Sequence, residues 1–210
     1  MSTPAPDTVI VRTGTANLAS VCAAFARLGA EPCVSDDPAR IMAAPLVVLP
    51  GVGAFGAAMA NLRAVGLDDA VRERARRERP LLAICLGMHL LCESSEESPG
   101  IAGLGIAPGA IRRFSGDVRV PQMGWNRVSA PPGSLLPQND YMYFANSFRL
   151  KLPPPGWDCA TTTHRGPFVS AMHRGSTLAC QFHPELSGAA GLGLLRRWLA
   201  LAAARTWCPC

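Results

Sequence analysis

At 210 residues, 49% hydrophobic and 17% charged, the chain has the composition of a globular protein with one sizeable core, and a single domain over 1–210 is expected. Its apolar runs are strand-sized, well short of the ~20 residues that cross a bilayer. Met1 to Asp7 show no basic region ahead of an apolar stretch, so no secretory signal is visible and the cytoplasm is the default. The net charge of +5 comes partly from Arg72-Glu73-Arg74-Ala75-Arg76-Arg77-Glu78-Arg79. This run has no aromatics and follows Asp68 and Asp69, so it reads as a solvated helix face, in contact with a partner at most, rather than a nucleic-acid patch.

Thr8 to Arg12 is β-branched and apolar and predicts a strand. Asn17 can cap a helix that lines up Leu18, Val21, Cys22, Phe25 and Leu28 and stops at Gly29. A short strand near Pro32 to Ser35 and a buried one at Pro45 to Leu49 follow, then a glycine-rich turn. Helices around Phe55 to Leu62 and Leu67 to Arg79 lead into a strand at Leu81. This alternation predicts an α/β fold: a mixed, largely parallel central sheet flanked by helices on both faces.

Beyond Gly100 the signals become short strands punctuated by Gly and Pro: Ala110 to Phe114, Arg127 to Ser129, Tyr141 to Phe148, Ala160 to Thr163, Phe168 to His173 and Thr177 to Phe182. They read as antiparallel additions. Pro153-Pro154-Pro155 reads as a rigid turn inside the fold. A last amphipathic helix is expected over Ala189 to Ala204, with residues 205–210 as a tail.

The run Leu81-Leu82-Ala83-Ile84-Cys85-Leu86-Gly87 carries the strongest chemical signal. A strand ending in one cysteine, with glycine two positions on, has the form of a nucleophile elbow, and a thiol at a helix start is drawn toward thiolate. A buried structural cysteine is the plainer alternative. A thiolate needs a base and an orienting group, and His183 and Glu185 flank Pro184 just after a strand. Taken alone, these two could be ordinary surface residues. The third element, Leu49-Pro50-Gly51-Val52-Gly53-Ala54-Phe55-Gly56, leaves backbone N–H groups free near a strand end. It lacks the G-K-[ST] ending of a phosphate loop and does not fit G-x-G-x-x-G, so an oxyanion site is the stronger reading.

Of the eight cysteines, Cys22, Cys33, Cys92, Cys159 and Cys180 are, like Cys85, scattered singly and read as reduced thiols. Cys208-Pro209-Cys210 has no second pair and no nearby histidines, so a frayed tail is favoured over a metal site. Neither a metal nor an organic cofactor is expected.

Together, the elbow, the upstream P-G-V-G-A-F-G and the downstream Gln181-Phe182-His183-Pro184-Glu185 resemble class I glutamine amidotransferases. More narrowly, the chain resembles the glutaminase subunits of imidazole glycerol phosphate synthases. That likeness rests on Gly14 to Val21, Ser95-Glu96-Glu97-Ser98, Val120 to Asn126, Tyr143 to Ser147 and His183 to Gly188, which occur in order along nearly the whole chain. The resemblance implies Cys85 as nucleophile toward the L-glutamine side-chain amide, His183 as base and Glu185 as its orienting acid. It also implies oxyanion donors from Leu86 and the Gly51-Val52 segment, and a glutamine site of Gly53, His89, Glu97, Asn146 and Ser147. The implied partner is a (β/α)₈-barrel cyclase subunit that receives the ammonia, in histidine biosynthesis.

The sequence departs from the family pattern at several points. His89 stands in place of glutamine, Ala83 of glycine, Gln122 and Asn146 of histidine, Leu186 of Lys or Arg, and Arg12 of an Asp often found there. These changes surround the substrate or the partner rather than the triad. Two other readings stay open at this level: another class I amidotransferase, and a non-catalytic scaffold or regulator of the same fold.

Overall fold

The computed structural model describes residues 7–14 and 17–206, and side chains as far as 203. Residues 1–6, the Thr15 and Ala16 of the N-terminal motif and the Cys208 to Cys210 tail lie outside the described residues. In chain order the first half comprises β1 (Thr8–Val11), α1 (Leu18–Arg27), β2 (Pro32–Ser35), α2 (Pro38–Ala43), β3 (Leu46–Leu49), α3 (Phe55–Ala64), α4 (Leu67–Arg76), β4 (Leu81–Ile84) and α5 (Leu86–Leu91). The second half adds β5 (Ser94–Ser95), β6 (Ala110–Arg113), β7 (Gln122–Val128), β8 (Asp140–Asn146), β9 (Phe148–Leu150), β10 (Asp158–Thr163), β11 (Pro167–Arg174), β12 (Thr177–Cys180), a 3-10 turn (Pro184–Leu186) and α6 (Gly188–Thr206).

The main sheet runs β2-β1-β3-β4-β12-β11-β9-β6-β5, with β10 paired to β11. Strands β2, β1, β3, β4 and β12 are parallel, and β12 is followed by antiparallel pairings to β11, β9 and β6. Strands β1, β3 and β4 are buried along their whole length because helices cover both faces, which explains their unbroken apolar runs. Val9, Val47, Leu49, Leu81 and Ala83 pack with Met59, Leu62 and Val71 of α3 and α4. Alternate residues Ile10, Val48, Leu82 and Ile84 pack with Phe25 of α1 and with Leu194 and Trp198 of α6. Phe25 and Trp198 meet edge to face at 6.2 Å, joining the two helices of that face.

Several expectations are corrected. Helix α2 was not anticipated, since six residues are too few for an apolar stripe; Asp37 caps it by accepting from the Ala39 N–H at 2.9 Å, with Pro38 in the first turn. The single strand expected over Tyr141 to Phe148 breaks at Ser147, so β8 pairs with β7 in a separate two-stranded sheet while β9 joins the main one. Strand β7 begins at Gln122 rather than Arg127. Helix α6 runs to Thr206, past the expected Ala204.

The basic run of α4 is only partly a solvated face. Arg72 pairs with Asp68 and Asp69, and Arg76 and Arg77 pair with Glu73, as helical spacing allows. Arg74, by contrast, is 0% exposed. Its guanidinium donates to the carbonyls of Ile41, Ala44, Pro45 and Pro80 at 2.8–2.9 Å, tying the α2–β3 connection to the approach to β4. Among the described residues, no helix is long and apolar enough to cross a membrane.

Candidate active site

Strand β4 delivers Cys85 into a backbone conformation of φ 53, ψ −108, and α5 starts at the next residue. A positive φ at a residue with a Cβ is strained, and it persists only where the surroundings impose it. Two contacts do so. The Cys85 N–H donates to Cys180 O at 2.7 Å, pinning the elbow to β12. On the other side Gly87 passes so close to β3 that a Cβ there would lie 2.0 Å from Leu49 O, which only glycine permits. Cys85 itself is 7% exposed.

Strand β12 lies beside β4 in parallel, with Cys180 opposite Ile84, so the two strands end together. The residues after β12 therefore arrive next to Cys85. His183 Nδ1 is 2.8 Å from Glu185 Oε1, across the turn that Pro184 stiffens. Burial alone would lower the His183 pKa, but hydrogen bonds to Cys85 and Glu185 outweigh it and raise the value to about 10. The ring is thus set to carry charge between a sulfur and a carboxylate. The backbone of His183 is fixed as well: its N–H donates to Tyr143 O at 2.9 Å, and its carbonyl accepts from Ser187 Oγ at 2.6 Å. Ser187 Oγ in turn accepts from the Tyr143 N–H at 2.9 Å.

A cavity of about 260 Å³ opens over this pair. It is lined by Val52, Gly53, Cys85, Leu86, His89, Glu97, Asn146, Ser147, Phe148 and His183 among others, so Cys85, His183 and the expected glutamine-site residues converge on one pocket, with Glu185 held behind the His183 ring. Glu97 also has a structural duty, since its Oε2 accepts from the Phe55 N–H at 2.8 Å and caps α3. Asn146 donates its Nδ2 to Phe148 O at 2.9 Å, while its buried Oδ1 has no partner.

The oxyanion donors are not arranged as expected. Leu86 N–H, expected to be free, donates to Gly51 O at 3.3 Å, so a carbonyl of the Gly51-Val52 segment faces the elbow. His89 also differs: its Nε2 lies 2.6 Å from Gln181 Oε1. Gln181, fully buried, places its Nε2 3.8 Å from Cys85 Sγ. Sequence reasoning missed the roles of Gln181 and Ser187. Both stand in the motif around His183, and Gln181 was a polar residue at the end of an otherwise apolar strand, a signal that could have been followed.

The family model described as Glutamine amidotransferase class-I matches residues 14–199. Among curated relatives, the imidazole glycerol phosphate synthase subunit HisH of Moorella thermoacetica is 44% identical over 193 residues, 90% of this chain and 92% of its own. The HisH subunit of Symbiobacterium thermophilum is 43% identical, with the same coverage of both chains. Among solved structures, a glutamine amidotransferase superposes with a TM-score of 0.76 at 21% identity, covering 93% of this chain and 98% of its own. The glutaminase domain of Trypanosoma brucei CTPS, solved with bound acivicin, gives 0.65 at 15%, covering 95% and 94%. The arrangement of elbow, His-Glu pair and pocket thus sits in a fold shared with these proteins, and the chain belongs to the class I glutamine amidotransferase family.

Proposed function

We propose that this chain is the glutaminase subunit of imidazole glycerol phosphate synthase, converting L-glutamine and water to glutamate and ammonia and delivering the ammonia to a (β/α)₈-barrel cyclase subunit. The whole of 1–210 acts as one amidotransferase domain, in the cytoplasm, within histidine biosynthesis. The observation that carries the reading is Cys85, held at a strained elbow in one pocket with His183, Gly53, His89, Glu97, Asn146 and Ser147, while Glu185 bonds the far nitrogen of the His183 ring. The relatives' full-length similarity supports the assignment to this synthase.

Cys85 Sγ attacks the side-chain amide carbon, and His183 returns the proton to the departing nitrogen, which leaves as ammonia. The resulting glutamyl thioester is opened by a water that His183 deprotonates, releasing glutamate and the thiol. Glu185 steadies the imidazolium throughout. The unpartnered Asn146 Oδ1 is an acceptor suited to the substrate's ammonium group. Both tetrahedral intermediates carry an oxyanion, and the Leu86 N–H is occupied by Gly51 O in this structure. Turnover therefore requires the Gly51-Val52 peptide to turn, freeing one donor and supplying a second. Removing one such donor typically costs about 3 kcal/mol of transition-state stabilisation. Docking of the cyclase is the natural trigger, because Val52, Met123, Trp125, Tyr141 and Leu186 are exposed large apolar residues and Val52 also lines the pocket.

Cys85→Ala in the assembled synthase tests the reading. Glutamine-dependent synthesis is lost, while synthesis from added ammonium salts continues at the wild-type rate. Continued use of glutamine would overturn the nucleophile assignment.

A further inference from the structure

The side chains of His89, Gln181 and Cys85 form a line of hydrogen bonds that the glutaminase mechanism above does not use. His89 Nε2 is 2.6 Å from Gln181 Oε1, and Gln181 Nε2 is 3.8 Å from Cys85 Sγ, within reach for a donor to sulfur. Gln181 is fully buried and His89 is 5% exposed. The Gln181 backbone is fixed too, its N–H donating to Ser170 O at 2.9 Å.

A carboxamide has two chemically opposite ends, and here only one orientation serves the sulfur. With the NH₂ toward Cys85, a thiolate receives a donor; with the oxygen toward it, a thiolate faces a partial negative charge. What selects the orientation is the group at the other end. Burial keeps the His89 imidazole neutral, with its pKa pushed down to about 4, so only one ring nitrogen carries hydrogen. The tautomer with hydrogen on Nε2 donates to Gln181 Oε1 and turns the NH₂ toward sulfur. The other tautomer would favour the reversed amide.

We propose that His89 is a positioning residue that acts through Gln181: its Nε2–H holds the Gln181 carboxamide so that a second donor, beside His183, faces the Cys85 sulfur. The inference rests on Cys85 being the nucleophile. It moves His89 from gripping the substrate, as the family resemblance implied, to tuning the sulfur. The donor serves twice, stabilising the thiolate before attack and again when the thioester breaks and sulfur leaves.

The test uses the full chain for alkylation and the assembled synthase for turnover. Gln181→Leu keeps the side-chain size and removes the donor; His89→Phe keeps a ring and removes the Nε2–H; His89→Gln restores a donor. Iodoacetamide alkylation of Cys85, followed across pH by mass spectrometry, reads the sulfur without needing glutamine. In Gln181→Leu and His89→Phe the alkylation rate at neutral pH falls about 10-fold, the size of one hydrogen bond to a charged group. The acid side of the profile moves to higher pH. The double variant is no slower than either single one, because one interaction is removed, and His89→Gln recovers part of the rate. In the synthase the single variants lower kcat with KM for glutamine unchanged.

An unchanged alkylation profile in Gln181→Leu overturns the proposal, whether or not His89→Phe folds. A raised KM with unchanged kcat and unchanged alkylation returns His89 to direct substrate contact and likewise overturns it. Failure of the underlying nucleophile assignment would show separately, as glutamine-dependent turnover surviving Cys85→Ala.

Discussion

Acid should destabilise the folded chain through His89, and by an amount the site fixes. Its imidazole is buried within the pocket wall, and burial lowers its pKa from 6.5 to about 4 despite the opposing hydrogen bond to Gln181. An unfolded chain binds this proton near pH 6.5 and the folded chain only near 4. Between those values the unfolded state holds more protons, so stability falls as pH falls. The contribution is fully present above about pH 6.5 and is lost on approach to pH 4. At about 1.4 kcal/mol per pH unit, the loss by pH 4.5 is about 2–3 kcal/mol, a sizeable part of an ordinary domain's stability. His89→Gln has no proton to gain there and can still donate to Gln181. Urea unfolding followed by circular dichroism at pH 7.0, 5.5 and 4.5 separates this contribution from that of all the other titrating groups, which both proteins share. Wild type should lose about 2 kcal/mol more than the variant between the first and last pH. Equal losses in the two proteins would refute the buried, neutral imidazole.

Two further expectations concern the supports of the site. Arg74→Met strips the donor from four carbonyls in a fully buried place and should lower unfolding free energy by about 3 kcal/mol, with Arg74→Lys recovering part of it. Chemical denaturation checks this, and a change below about 0.5 kcal/mol would return the side chain to the solvated face read from the sequence. Gly87→Ala forces a methyl against Leu49 O, with no flexible side chain to yield, and should cost about 1–3 kcal/mol in stability. Because the elbow must open to admit it, Cys85 alkylation should also slow at least 10-fold; an unaltered rate would show that the close approach does not hold the elbow.

The parallel half of the fold was legible because burial on both faces writes itself as unbroken apolar runs at Leu46–Leu49 and Leu81–Ile84. The elbow was legible for a steric reason, since a helix starting this close to β3 leaves room only for glycine at 87. Other features left no such mark. The break between β8 and β9 depends on which sheet each piece joins, a long-range choice that the local pattern over Tyr141 to Phe148 does not contain. Arg74 looked like its charged neighbours because nothing in its spacing reveals the carbonyls around it. The turn of the Gly51-Val52 peptide is a backbone torsion between glycines, and the same residues serve either orientation. For His89 the sequence marked the position as unusual but could not say which way its ring would bond. Tertiary contact with Gln181 decided that.

Strand β8 explains why the proposed docking face and the reacting groups should act together. Trp125 of β7, 57% exposed, packs its ring edge to face on Tyr143 of β8 at 6.1 Å. The backbone of that same tyrosine accepts the His183 N–H and donates to Ser187 Oγ, which holds the His183 carbonyl. At its far end β8 places Asn146 in the pocket. A partner that clamps Trp125 and Tyr141 therefore loads the one strand on which both the base and a wall of the substrate site are hung. The oxyanion segment reaches the same pocket through Val52, which is exposed and lines it together with Cys85. In the proposed mechanism neither part alone completes the site, since β8 sets the base and the Gly51-Val52 peptide must supply the missing donor. Under the proposed mechanism, a single partner surface that reaches Val52 as well as the exposed Trp125 and Tyr141 is the simplest way to couple hydrolysis to the presence of the receiver of ammonia.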